Sequence, residues 1–145
     1  MENTWLLFAI LLASLLVGFW LKAAQGRIKL AKSHQNFAQE FSAFGNLGKR
    51  ATLIQFSTQY CAACPGSRNI LNQISDKNQD INFIEIDAEN NIKLARKLKI
   101  LSTPTILITD TIGEELARIT GKPNKKDIEN YLTTIGSTNY VKRSA

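Results

Sequence analysis

An almost continuous run of apolar residues distinguishes a long N-terminal segment from the rest of the chain. The segment from Trp5 to Leu21, WLLFAILLASLLVGFWL, carries no charged residue. As a helix it spans about 26 Å, and continuing it past Lys22 through Ala23 and Ala24 brings it to the roughly 30 Å of a hydrocarbon core. Because a helix that is apolar on every face is unusual in a small domain, the pattern predicts a single transmembrane helix.

Short apolar runs then alternate with amphipathic patterns, and together they predict one α/β domain. The predicted strands lie at residues 27–30, 51–57, 81–87, 104–110 and 114–120, and the predicted helices at 36–44, from the cysteines to about 77, at 91–98 and around 128–135. Strand–helix–strand order predicts parallel pairing first, and the last two strands, joined at Gly113, predict an antiparallel hairpin. The predicted fold class is therefore α/β, with a mixed sheet flanked by helices.

The predicted segments differ in charge. We assign residues 1–24 to the anchor and its flank, 25–34 to a basic linker, 35–136 to the folded domain and 137–145 to a flexible tail. The net charge is +6, and residues 22–50 hold six Lys or Arg against one acid, whereas residues 51–145 hold twelve against ten. Cations that flank a membrane helix stay on the cytoplasmic side, so the domain is expected there. Nucleic-acid binding is disfavoured, because it would need the excess cations on the folded domain.

Two cysteines, Cys61 and Cys64, carry the candidate chemistry. They are the only cysteines in the chain and lie where a buried strand gives way to a helix. Unpaired N–H groups at a helix N-terminus stabilise a thiolate, which makes Cys61 the expected nucleophile. Cys64 follows three positions later on the same face, within reach of the first sulfur. Such a pair can exchange disulfides through a mixed disulfide without a third group.

Other uses of a cysteine pair fit this sequence less well. A structural zinc site needs four ligands, and the chain offers one further candidate, His34 in the linker. A structural disulfide is disfavoured by the expected cytoplasmic location, and it would close a loop too short to constrain much chain. We therefore expect a redox-active dithiol, with no metal and no cofactor.

The sequence from about residue 35 to residue 135 resembles the thioredoxin family. Three motifs carry the resemblance: YCAAC after the strand TLIQF, STPT at residues 102–105, and a glycine after the predicted hairpin. The resemblance implies a thioredoxin fold, a Cys61–Cys64 active site, and a cis peptide bond before Pro104 that faces the cysteines. It also implies a groove in which an extended substrate pairs as an added strand. The groove residues implied are Tyr60, Thr103 through its backbone, Pro104 and Gly121.

The chain also departs from the family pattern. Ala62 and Ala63 separate the cysteines where thioredoxins proper carry Gly-Pro. Gln55 stands where the family has a buried aspartate thought to help move protons off the second cysteine, and Phe83 stands where the family has the lysine paired with it. We therefore expect Gln55 to be a hydrogen-bonded buried amide, and release of the Cys64 proton to be slow or assisted by water.

With its apolar segment and basic linker, the chain resembles more narrowly the membrane-anchored thioredoxin-like proteins of actinobacteria. This resemblance implies a membrane-tethered protein-disulfide reductase whose Cys61/Cys64 dithiol acts on protein substrates and is recharged by a reductant such as a thioredoxin reductase. Two alternatives remain open. One is a non-catalytic adaptor that binds a membrane partner through the groove at Pro104. The other is an extracytoplasmic thiol–disulfide oxidoreductase of cytochrome maturation.

Overall fold

A computed structural model describes residues 4–23, 26–31 and 36–143. The elements along these residues are α1 (Thr4–Ala23), β1 (Ile28–Leu30), α2 (Ala38–Ser42), β2 (Ala51–Ser57), α3 (Cys64–Lys77), β3 (Ile81–Asp87), α4 (Ile92–Lys97), β4 (Thr105–Thr109), β5 (Glu115–Thr120) and α5 (Lys125–Arg143). The predicted order of strands and helices is confirmed, and β2 and β3 have the predicted bounds.

The prediction of a transmembrane anchor at α1 is wrong. Within the described residues, no helix combines the length and the apolar character needed to cross a membrane. The predicted helix is as long as the bilayer is thick only if the apolar run continues past Lys22. Without that extension, the run from Trp5 to Leu21 spans about 26 Å against a core of roughly 30 Å. The predicted cytoplasmic location of the domain was argued from this anchor, so that argument falls with it.

The sheet combines a parallel pair with antiparallel neighbours, as the order of elements predicts. Its strand order is β1-β5-β4-β2-β3. The β2 and β3 strands run parallel, with Ala51 opposite Ile81 and Ser57 opposite Asp87. The β4 strand lies antiparallel to both β2 and β5, and β5 lies antiparallel to β1. The carboxyl end of β2 therefore lies in the middle of the sheet, beside the start of β4.

Helices cover both faces of the central strand. Every residue of β2 is buried, and alternate side chains of a strand point to opposite faces. On one face Leu53 belongs to a cluster that includes Leu71 of α3 and Ile128 of α5. On the other face, Ile54 belongs to a cluster that includes Phe41 of α2. The strand that leads to the cysteines is thus held from both sides.

An arginine clip fixes the end of the sheet remote from the cysteines. Arg50, just before β2, donates to the Asp80 carboxylate through Nε at 2.6 Å and to the Leu132 carbonyl through Nη1 at 2.9 Å. Asp80 lies just before β3, and Leu132 lies in α5. These bonds tie the amino ends of the parallel strands to the last helix.

Two helix lengths differ from the sequence pattern. Helix α2 covers Ala38–Ser42, which is shorter than the predicted 36–44, because Phe37 and Phe41 are buried whereas Phe44 is exposed. Helix α5 continues to Arg143 and so includes residues 137–143, which the sequence pattern assigns to a flexible tail. No proline interrupts that stretch, and the flexibility of the tail stays a prediction.

Candidate active site

The two cysteines lie in and just after the loop that follows the central strand. β2 ends at Ser57, and the Cys61 N–H donates to the Thr58 carbonyl at 3.2 Å. The Cys64 N–H donates in turn to the Cys61 carbonyl at 3.2 Å. These bonds form a turn that brings the two side chains together. Cys61 and Cys64 form a disulfide, with their Cα atoms 5.4 Å apart.

The helix begins later than the sequence suggests. The prediction puts Cys61 at the helix N-terminus, whereas α3 begins at Cys64, with Ala63 as its N-cap. Pro65 occupies the first turn, where its missing N–H costs no hydrogen bond. Cys61 therefore lies in the turn just before the helix, and the first sulfur stays close to the unpaired N–H groups of the first helical turn.

The two sulfur-bearing residues differ in exposure. Cys61 is half-buried, whereas Cys64 is only 2% exposed. An incoming disulfide can therefore reach the Cys61 sulfur, while the Cys64 sulfur is covered by the domain. This asymmetry agrees with the roles that the sequence assigns to Cys61 as nucleophile and Cys64 as second thiol.

The Thr103–Pro104 peptide bond is cis, as predicted. Pro104 is buried, and its carbonyl accepts a hydrogen bond of 2.8 Å from the Gly121 N–H. The Thr103 hydroxyl lies 3.3 Å from the Thr58 hydroxyl, and Thr58 is the residue whose carbonyl binds the Cys61 N–H. Three loops therefore meet at the disulfide end of the sheet. Direct contact between Pro104 and the Cys61 sulfur stays a prediction.

Exposed apolar side chains lie on two of these loops. Tyr60, next to Cys61, is 83% exposed, and Leu101, three residues before the cis proline, is 95% exposed. Sequence reasoning identified Tyr60 but missed Leu101. An apolar residue in the short connection between α4 and the cis proline was the available signal, since such a loop lies at the surface.

A polar chain of contacts lies beneath the disulfide, with Gln55 at its centre. Gln55 is fully buried, and its Nε2 lies 3.3 Å from the Cys64 carbonyl oxygen and 3.4 Å from Oε1 of Glu85. The predicted hydrogen-bonded buried amide is confirmed. Arg68 donates to the same carboxylate through Nε at 2.6 Å and Nη2 at 2.7 Å. Chiefly because of this hydrogen bond, the pKa of Glu85 lies below its usual value.

Glu85 is another site residue that sequence reasoning overlooked. The family comparison pointed to Phe83 as the neighbour of Gln55, but Phe83 lies opposite Leu53, one pair away along the same face, and packs against the core cluster there. The parallel register places Glu85 directly opposite Gln55. Glu85 could have been identified from the two predicted strands, which have the same length. If they pair in parallel from their first residues, Gln55 lies opposite Glu85.

A lysine lies beside the first turn of the cysteine helix. A Cβ built on Gly66 would lie 3.6 Å from Cε and 3.7 Å from Nζ of Lys122. The missing side chain at Gly66 thus leaves room for the Lys122 side chain along the helix. Its ammonium adds positive charge near the end of α3 that carries Cys64.

Metal binding has no support in the described part of the chain. Within residues 4–23, 26–31 and 36–143, no three His, Cys, Asp or Glu side chains are placed to hold a metal ion. His34, the one further ligand that the sequence offers, lies outside the described residues.

Fold and site together define a class of protein. A buried strand leads into a Cys-x-x-Cys disulfide at the start of a helix, and a cis proline from the next antiparallel strand lies at the same end of the sheet. Proteins of this class exchange electrons between a dithiol and a disulfide. The family described as Thioredoxin matches residues 29–134. The chain therefore belongs to the thioredoxin family.

Relatives in other organisms share part of their length with this chain. Thioredoxin domain-containing protein 2 of Homo sapiens is 28% identical over 79 residues, which are 54% of this chain and 14% of that protein. Mitochondrial thioredoxin-2 of Schizosaccharomyces pombe is 29% identical over 72 residues, which are 50% of this chain and 53% of that protein. The chain thus spans about half or less of the length of these relatives. The narrower resemblance to actinobacterial proteins stays a prediction.

Solved thioredoxin structures share the fold. A thioredoxin from Nicotiana alata superposes with a TM-score of 0.55 at 23% identity, covering 66% of this chain and 81% of that one. Mitochondrial thioredoxin 3 from Saccharomyces cerevisiae, in its oxidised form, gives a TM-score of 0.55 at 19% identity, covering 66% of this chain and 88% of that one. At these identities the likeness shows the fold alone.

Proposed function

We propose that the chain is a thiol–disulfide oxidoreductase that reduces disulfides in other proteins. The observation that carries this proposal is the Cys61–Cys64 disulfide at the strand–helix junction, with one cysteine accessible and the other buried. A structural disulfide has no need of this difference in exposure. A dithiol that must attack a substrate with one sulfur and release it with the other does need it.

In the first step, the Cys61 thiolate attacks one sulfur of a substrate disulfide. The substrate S–S bond breaks, a disulfide forms between Cys61 and the substrate, and the other substrate sulfur leaves as a thiolate that takes a proton from water. The accessible position of Cys61 just before α3 suits this step, because the helix end and Lys122 both favour negative charge there.

In the second step, the Cys64 thiol gives up its proton to solvent, and the resulting thiolate attacks the Cys61 sulfur. The bond between Cys61 and the substrate breaks, the substrate sulfur leaves as a second thiolate, and the intramolecular disulfide forms. Two electrons have then passed from the dithiol to the substrate. A dithiol reductant must return two electrons and two protons, and we propose a thioredoxin reductase as that donor.

Substrate binding is proposed at the three loops around the disulfide. An extended segment of the substrate would pair with the Thr103 backbone, beside Pro104 and Gly121. Tyr60 would contact the substrate on the Cys61 side, and Leu101 adds an apolar surface next to the groove. Together, Tyr60 and Leu101 would give the substrate an apolar surface beside the disulfide.

Reduction of insulin disulfides by the full-length chain, with dithiothreitol as reductant, tests the proposed function. Cys61→Ser should abolish turnover because no nucleophile remains. Cys64→Ser should accumulate a mixed disulfide, detectable by mass spectrometry, because the second step is blocked. Ala62→Ser is the matched control, since it adds a hydroxyl to the same loop while both sulfurs remain.

Full turnover without Cys61 would contradict these roles. Two results together would favour the adaptor function over the oxidoreductase function. The wild-type chain would reduce no disulfide, and a variant with both cysteines replaced would capture membrane proteins as well as the wild type does.

A further inference from the structure

The contacts beneath Cys64 hold an ion pair that the exchange steps above do not use. Arg68 lies four residues after Cys64 in α3, and Glu85 lies in β3. Gln55, in β2, links this pair to the cysteine, because its amide nitrogen binds both the Cys64 carbonyl and the Glu85 carboxylate. A continuous path of hydrogen bonds thus runs from the exposed guanidinium to the main chain of the buried cysteine.

The orientation of the Gln55 amide follows from its two neighbours. Both the Cys64 carbonyl and the Glu85 carboxylate are hydrogen-bond acceptors, so only the amide nitrogen can face them. A flipped amide would place its oxygen against two other oxygens. The Gln55 Oε1 atom consequently has no hydrogen-bond partner among the described side chains and main-chain groups. Glu85 therefore reinforces the orientation of the amide that the Cys64 carbonyl also requires.

Charge is the second property that the pair brings to this site. The Glu85 carboxylate opposes the formation of a second negative charge on a nearby thiol, whereas the Arg68 guanidinium favours it. The Glu85 carboxylate is partly buried, so its charge is screened less than in water, whereas the more exposed Arg68 guanidinium acts chiefly through its direct contact with that carboxylate. Other titratable groups near this end of the sheet include Tyr60 and Cys61 in the cysteine loop, Asp87 and Glu89 at and just after the end of β3, and Lys122 beside Gly66.

We propose that Glu85 and Arg68 are positioning residues that set the protonation of the Cys64 thiol, with Glu85 holding the Gln55 amide against Cys64 and Arg68 balancing the Glu85 charge. This inference rests on the proposed function, since Cys64 must become a thiolate to resolve the mixed disulfide. The ion pair thereby sets the rate of the second step, although neither side chain contacts the substrate.

A titration of Cys64 alone tests the inference directly. Full-length protein carrying Cys61→Ser has Cys64 as its only thiol, and its ionisation can be followed by the ultraviolet absorbance of the thiolate. Added Glu85→Gln should lower the midpoint by roughly one pH unit, because Arg68 is left unbalanced. Added Arg68→Gln should raise the midpoint by a similar amount, because Glu85 is left unbalanced. The variant with both changes should return close to the parent.

Opposite shifts are the decisive outcome, because loss of a merely structural contact would move both variants in the same direction. Arg68→Lys keeps the charge and should leave the midpoint near the parent value. If Glu85→Gln does not fold, the two Arg68 variants still test the role of charge, because Arg68→Gln should raise the midpoint and Arg68→Lys should not. Arg50→Gln and Asp80→Asn break a different arginine–carboxylate pair, at the remote end of the sheet, and should leave the Cys64 midpoint unchanged.

Shifts in one direction, or no shift in any variant, would overturn the inference. The titration requires no turnover, so it separates this inference from the proposed function. Absence of disulfide reduction by the wild-type chain would overturn the function while the opposite shifts could still be observed. Reduction with normal kinetics and unshifted midpoints would overturn the role of the ion pair alone.

Discussion

At the scale of single residues, burial gives the two sulfurs different chemistry. Cys64 is 2% exposed and its main chain is bound by a buried amide. Burial disfavours the charged form of a thiol, so we expect the second sulfur to stay protonated until a substrate is attached to the first. We expect the same burial to prevent Cys64 from attacking disulfides in solution before the first step has taken place.

Alkylation of the fully reduced chain should distinguish the two thiols. Cys61 should react with iodoacetamide roughly tenfold faster or more, because it is accessible and lies near the helix N-terminus. Cys64 should react only when the chain is unfolded in guanidinium, where both thiols become equivalent and provide the control. Peptide mass spectrometry at timed intervals measures the two rates, and equal rates in the folded chain would contradict the assignment.

Replacing Gln55 by aspartate should accelerate the second step. A carboxylate buried beside Glu85 has its pKa raised by the neighbouring charge, which makes it a competent base near neutral pH. The change should also lower the free energy of unfolding by about 1 to 3 kcal/mol, because the Cys64 carbonyl loses its donor. Stopped-flow decay of a preformed mixed disulfide measures the rate, and Gln55→Glu offers a longer acid for comparison. A slower decay near pH 7 would contradict the prediction.

At the scale of elements, the predictions that were confirmed are those fixed by local pattern. Ala51–Ser57 and Ile81–Asp87 were predictable because their apolar runs are bounded by polar or turn-forming residues. The role of Glu85 was not predictable in the same way, because it depends on the register between two strands that are 30 residues apart. The end of α2 was misplaced because spacing alone cannot show that Phe44 points away from the core.

The predicted transmembrane helix fails for a related reason. The apolar run was extended past Lys22 on the assumption that a charged side chain could reach the interface, and only that assumption brought its length to bilayer thickness. Among the active-site features, the cysteine pair and the cis proline could be recognised from motifs. Leu101 and Arg68 could not, because neither belongs to a motif.

The Arg68–Glu85 pair should make a pH-dependent contribution to the attachment of α3 to β3. Arg68 lowers the pKa of Glu85, so the stabilisation is present at pH values above the usual range of glutamate and is lost as the pH falls through the lowered pKa. Glu85→Gln should therefore cost up to about 1 kcal/mol near pH 7, since the pair is partly exposed, and nothing in strong acid. Urea unfolding at several pH values measures this difference.

A suitable control for that experiment is Glu89→Gln, which removes an exposed carboxylate outside the pair. The control should not show the same dependence on pH. If the wild type and Glu85→Gln differ by the same amount at neutral pH and in strong acid, the ion pair makes no contribution.

At the scale of the whole molecule, stability depends on the central strand and the helices on either side of it. Leu53→Ala should lower the free energy of unfolding by about 2 to 5 kcal/mol, because it leaves a cavity in the cluster between the sheet, α3 and α5. Leu30→Ala removes the same atoms from an exposed position on the edge strand β1 and should change the value by less than about 0.5 kcal/mol. Denaturant unfolding measures both, and equal losses would contradict the placement of the core.

The arginine clip at the remote end has a consequence for how a partner can sense the oxidation state. Arg50 joins the starts of both parallel strands to α5, and the buried residues of β2 connect that end rigidly to the other. Opening a disulfide between residues three positions apart frees only the short turn that contains them. A close-packed interior transmits little of so local a change. We therefore expect a reductant or substrate to distinguish the two states by its contacts with the three loops, because the packing of the rest of the domain should not change between them.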